Sequence, residues 1–102
     1  MIDGLTQAQN SELLKLIKST KTITKVVVFG SRAMGNYKPG SDVDLAIWGD
    51  SFGAMDAANF AAKLNEESRL PYKFDVVAFN AITSNVLREH IITIGKVIFE
   101  RE

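Results

Sequence analysis

Hydrophobic and polar positions along this chain change period several times, and each change marks an element. Between Gln7 and Ser19 the apolar residues Leu13, Leu14 and Ile17 recur on one side of a 3.6-residue helix, and Thr6 stands where an N-cap belongs. Lys25 to Phe29 is a short β-branched run stopped by Gly30, the pattern of a buried strand. The next stretch, GSRAMGNYKPGS over 30–41, holds three glycines and a proline and predicts turn and loop. From Asp42 to Trp48 the period is two, with Val43, Leu45 and Ile47 facing away from the acids between them. Gly49 to Gly53 connects to an alanine-rich segment, Ala54 to about Ser68. That segment predicts a helix with Met55, Ala58, Ala61, Ala62 and Leu64 inward, closed off by Pro71. Tyr72 to Phe79 predicts a third strand, with Phe74, Val76 and Ala78 on one face and Asp75, Val77 and Phe79 on the other. Ala81 to Ile94 predicts a second amphipathic helix ended by Gly95 as its C′ residue, and Lys96 to Glu100 adds a short strand.

Helices interleaved with strands imply an α/β (α+β) domain: one mixed sheet of about four strands with flanking helices. The order in which the strands pair is not contained in this pattern. The 102 residues suffice for one hydrophobic core, so residues 1–102 are expected to form a single domain.

Charge narrows the partners. Lys and Arg number 12, Asp and Glu number 12, and the formal net charge is zero. A long nucleic acid calls for a basic surplus to neutralise phosphates, so direct binding of one is not expected. The lysines at 15, 18, 21 and 25 read as a solvated helix face. Hydrophobic residues make up 46% of the chain, yet no apolar run approaches the ~18 residues of a membrane span. The opening MIDGLTQAQN lacks the basic-then-apolar pattern of a signal peptide, and the chain has no cysteine; a cytoplasmic protein is expected.

Asp42 and Asp44 are two apart on a strand, so both project from one face, about 6.5 Å apart along the chain. Asp75 repeats the arrangement between Phe74 and Val76. If the two strands are neighbours, three carboxylates meet on one face. Such anions raise one another's proton affinity unless a countercharge is present, and Mg²⁺ supplies one. Gly30-Ser31 closes the preceding strand: glycine permits close backbone approach, and serine offers a hydroxyl and an N–H to phosphate oxygens. Gly35 and Gly40 let the loop fold back to bring Asp42 beside that turn. The segment fits neither a dinucleotide-binding glycine loop nor a Walker loop, and Asp42 and Asp44 sit among apolar residues, unlike an EF-hand.

Gly-Ser, ten residues, then Asp-x-Asp resembles the signature of the DNA polymerase β-like nucleotidyltransferase superfamily. GSRAMGNYKPGSDVDLAI is similar to its small prokaryotic members, the minimal nucleotidyltransferases. The resemblance extends to Asp75 in KFDVVAF and to the final helix before IGKVIFE. It implies that Gly30 and Ser31, helped by Arg32 and Ser41, hold a nucleotide's phosphates. Asp42, Asp44 and Asp75 would ligate two Mg²⁺ ions, Asp75 also helping to activate the nucleophile. Met34 departs from the pattern, where many relatives carry a second arginine.

The resemblance further implies transfer of a nucleoside monophosphate, AMP from ATP first of all, to a hydroxyl acceptor. Relatives of this kind are paired with a HEPN-domain toxin, so the expected acceptor is a tyrosine of such a partner and the expected role is antitoxin. The assembly would be a hetero-oligomer or a homodimer. The alternative is a partner with little or no catalysis that neutralises a HEPN RNase by complex formation alone. His90, the only histidine, reads as a core-edge or exposed residue, Trp48 as core or interface packing, and Tyr37 carries no preference.

Overall fold

The computed structural model describes residues 2–101. Four strands make one sheet in the order β3-β2-β1-β4, with β1 at Ile23–Phe29, β2 at Val43–Gly49, β3 at Phe74–Ala78 and β4 at Lys96–Glu100. β1 is antiparallel to both of its neighbours, whereas β2 and β3 run parallel. A parallel pair needs a crossover, which is supplied by α3 (Ala54–Ala62) and a π-helical turn over Lys63–Glu67. The other helices are α1 (Gln7–Ser19), the single turn α2 (Ser31–Met34) and α4 (Asn85–Ile94). No helix among the described residues is long and apolar enough to cross a membrane.

Period-two alternation divides the sheet into two faces. Val26 and Val28 of β1, Val43, Leu45 and Ile47 of β2, and Phe74 and Ala78 of β3 pack with Leu13 and Ile17 of α1, Ala57 and Phe60 of α3, and Leu64 of the π-helical turn. On the other face Val27, Phe29, Ala46 and Phe79 pack with Ile91 of α4. On this second face Asp44 of β2 pairs with Asp75 of β3, so the end of the face where β2 begins carries acids.

Several boundaries differ from expectation. β3 is shorter than the 72–79 segment, because Phe79–Ala81 turns as a 3₁₀ helix. α4 begins at Asn85 rather than Ala81, where the Ser84 hydroxyl accepts from Leu87 N–H and caps it. In α3 the inward residues are Ala57 and Phe60, Leu64 follows in the π-helical turn, and Met55 is 73% exposed. Gly95 is not left-handed; its φ is −62°, and a Cβ there would strike the Ile91 carbonyl and Val27 Cγ1. Glycine is needed there for close approach, not for its backbone angle.

Ahead of α1 the chain folds over as a hook. Thr6 caps the helix reciprocally with Gln9, as expected. Buried Asn10 accepts from Ile2 N–H (3.1 Å) and donates to the carbonyls of Ile2, Leu5 and Thr6. The bonds hold Ile2 and Leu5 in the core.

Candidate active site

β1 ends at Phe29, whose partner on β2 is Asp44. The next residue, Gly30, has φ +73°, and a Cβ at this position would collide with Asp44 Oδ2 and lie 3.3 Å from its Cγ. The backbone of the turn therefore rests directly against the Asp44 carboxylate, which only glycine allows. Gly30 is also the N-cap of α2, its carbonyl accepting from Ala33 and Met34 N–H at 3.1 Å. Among the described residues, the N–H groups of Ser31 and Arg32 have no main-chain acceptor and open the first turn.

The loop then returns to the sheet. Lys38-Pro39-Gly40-Ser41 is a tight turn: Ser41 N–H donates to the Lys38 carbonyl at 2.9 Å, and Lys38 N–H donates to Ser41 Oγ at 2.8 Å. Proline at the second position and a positive-φ glycine at the third mark a type II turn. Asp42 follows, just before β2 rather than within it. Val43 N–H donates to the Lys73 carbonyl at 2.9 Å and starts the parallel pairing that sets Asp44 opposite Asp75.

Asp42, Asp44 and Asp75 thus come together on the face that carries α4. Half-buried Asp44 has its proton affinity raised by burial first, then by the charges of Asp75 and Asp42, with His90 opposing. Asp75 is raised as well, by desolvation first and then by a hydrogen bond with Asp42 and the charge of Asp42, with Lys73 opposing. Among the described residues no three such side chains close tightly enough to enclose a cation by themselves. Mg²⁺ does not need that, since one or two carboxylates suffice when phosphate oxygens and water complete the octahedron. Hard oxygen donors and mutually repelling charges are the donor set it takes, and the residues present fit it.

The remaining predicted positions separate. Ser31 stands at the start of α2, half-buried beside the acids' turn. Ser41 spends its hydroxyl on the Lys38 turn. Arg32, expected at a phosphate, is only 3% exposed, and its guanidinium donates to the carbonyls of Ser41 and Asp3. Its side chain is drawn into the fold because those carbonyls and two tyrosine rings surround it. Met34 is half-exposed and Lys38 exposed. Trp48 packs within the domain, stacked on Phe79 at 4.3 Å with Lys25 Nζ 4.9 Å above its ring.

Two neighbours of the acids escaped the sequence reading. Lys73 precedes Asp75 by two, a strand spacing that put the countercharge in view. His90 had no such signal; α4 brings it edge-on to Phe29 (6.0 Å between centroids) and close enough to affect Asp44. A groove of ≈ 330 Å³ lined by Gly49, Ser51, Phe52, Gly53, Asn80 and Ala81 opens at the far end of β2 and contains none of the acids.

Residues 11–102 match the family described as polymerase beta, nucleotidyltransferase. Among solved structures, a toxin–antitoxin with AMP-PNP superposes with a TM-score of 0.76 at 25% identity, over 91% of this chain and 74% of that one. The toxin–antitoxin MntA-HepT gives 0.70 at 24% identity, over 93% and 73%. A tri-AMPylated Shewanella oneidensis HEPN toxin in complex with MNT antitoxin gives 0.71 at 23%, over 94% and 73%. No protein of curated function matches the sequence.

Proposed function

The chain belongs to the polymerase beta nucleotidyltransferase family, and on that premise we propose that it moves AMP from ATP onto a tyrosine hydroxyl of a HEPN-domain partner, as an antitoxin. The observation that carries this reading is the juxtaposition of Gly30 with Asp44 and of Asp44 with Asp75, a glycine turn resting against a pair of facing acids. The toxin–antitoxin with AMP-PNP and the AMPylated HEPN toxin with MNT antitoxin support the nucleotide and the acceptor.

Asp42, Asp44 and Asp75 would hold Mg²⁺, which when bound neutralises the triphosphate and stabilises the departing pyrophosphate. The turn at Gly30-Ser31 offers the Ser31 hydroxyl and the two open N–H groups to the outer phosphates. The acceptor oxygen bonds to the α-phosphorus as the bond to the bridging oxygen of the β-phosphate breaks, and pyrophosphate leaves with that electron pair. Asp75, whose proton affinity is raised, takes the hydroxyl proton.

The test is transfer of label from α-labelled ATP and Mg²⁺ to a co-purified HEPN partner, with mass spectrometry of both chains. Asp42→Asn with Asp44→Asn is expected to abolish labelling. A double variant that no longer labels the partner yet still neutralises it in cells would mean that complex formation alone performs the antitoxin role. A wild-type chain that labels nothing, with any triphosphate, overturns the transfer reading.

A further inference from the structure

Arg32 has no place in the chemistry just described, yet it is one of two buried polar residues among those described. Nε and Nη2 both donate to the Ser41 carbonyl, at 3.3 and 2.9 Å, and Nη1 donates to the Asp3 carbonyl at 3.2 Å. The guanidinium carbon lies 4.7 Å from the centre of the Tyr37 ring and 5.1 Å from that of Tyr72. Gly4 closes the cage, since a Cβ there would come within 2.6 Å of Nη1 and 2.9 Å of the Tyr37 ring. Tyr72 is tied in turn to the hook and to α1, its hydroxyl at 3.3 Å from the Gly4 carbonyl and 2.8 Å from Gln9 Oε1.

We propose that Arg32 is the positioning residue of the acidic site. It sits two residues after Gly30, and the carbonyl it grips belongs to the residue before Asp42. Its side chain therefore closes the loop between the phosphate turn and the first acid, fixing the distance between them. The Lys38–Ser41 turn orders only the last part of that loop. A planar fork can bond two carbonyls from different segments while tyrosine rings pack against it, whereas a lysine ammonium has one point of charge and no faces. The proposal rests on the reading of Asp42 as a site residue. It predicts that losing the fork displaces Asp42 while the Gly30-Ser31 turn still receives nucleotide.

The test uses the full chain with its HEPN partner and the variants Arg32→Gln, Arg32→Lys and Tyr37→Leu. Hydrogen exchange of the amides in 35–42 is measured on the ligand-free chain, and kcat and KM for ATP are measured separately. In Arg32→Gln, exchange in that segment is expected to rise and kcat to fall about a hundredfold, with KM for ATP within about threefold of wild type. Arg32→Lys should not restore either. Tyr37→Leu, which keeps the hydrogen bonds and removes one ring, should move both in the same direction by less, and it carries the test if Arg32→Gln does not fold. A KM that rises with kcat retained and the loop unmoved makes Arg32 a phosphate ligand and overturns the proposal, as does full rescue by lysine. A wild-type chain without transfer sinks the functional reading and the catalytic coupling with it. Unmoved exchange in Arg32→Gln sinks the clamp even where transfer is robust.

Discussion

Asp44 and Asp75 stand opposite each other on the second rung of the parallel β2–β3 pairing, each with its proton affinity raised. Like charges directly across a strand pair destabilise a sheet. The folded chain tolerates this rung because it lies at the open end of the face, beside Lys73 and His90.

The rung makes stability pH-dependent in a definite direction. Both folded-state values lie above the ordinary 3.8, so over the window from 3.8 up to the raised values the folded chain binds more protons than the unfolded chain. Stability from these groups therefore falls as pH rises through that window, and the cost vanishes below it. Metal-free Asp44→Asn is expected to melt above wild type at neutral pH and to lose its advantage as pH drops towards 3.8. Thermal melts across that range check this; identical melting temperatures at neutral pH count against the repulsion.

Mg²⁺ with ATP is expected to stabilise wild type by about 2.7 kcal/mol when the ligand is at a hundred times its Kd. For a chain of this length that is a melting-temperature shift of roughly ten degrees or more. Asp44→Asn should lose most of the increment. Differential scanning with Mg²⁺ alone, ATP alone and both together shows whether the acids and the turn bind as one site.

Gly30→Ala and Gly35→Ala make an instructive comparison. Both residues have positive φ, but Gly35 is left-handed helical (ψ 4°), where a side chain costs about 1–2 kcal/mol, whereas Gly30 (ψ −152°) lies in a region essentially restricted to glycine. At Gly35 nothing lies within 4 Å of the added methyl, whereas at Gly30 it lands on the Asp44 carboxylate. Transfer is expected to fall about tenfold or more in Gly30→Ala relative to Gly35→Ala, both measured where the denaturant midpoint shows the chain folded. Equal activities in the two variants would remove the turn-to-acid contact from the mechanism.

Asn10→Ala should untie the hook. The side chain makes four hydrogen bonds to the main chain of 2–6, and its loss leaves buried N–H and C=O groups without partners. A loss of about 1–3 kcal/mol is expected in urea unfolding. Faster exchange should be confined to the segment ahead of α1 and to the Arg32 cage it supports.

The sequence by itself determined the faces. Alternation at Val43, Leu45 and Ile47 committed Asp44 to the opposite side of β2, and the same logic committed Asp75, because a strand's side-chain period is local and strict. Gly30-Ser31 and the two-residue spacing of the acids were equally legible, as were the interleaved elements of the family's fold. What alternation cannot encode is which strands are neighbours. The β2–β3 pairing that joins Asp44 to Asp75 is settled by α3 and the π-helical turn crossing over and burying Ala57, Phe60 and Leu64 against the sheet. Tertiary structure alone also turned Arg32 inward, because the Asp3 carbonyl and the Tyr72 ring that help enclose it come from distant parts of the chain. It likewise carried His90 to the acids on a helix whose angle depends on Ile91 finding Val27 and Phe29. Periodicity is a property of neighbouring residues, whereas these contacts exist only once the whole core has closed.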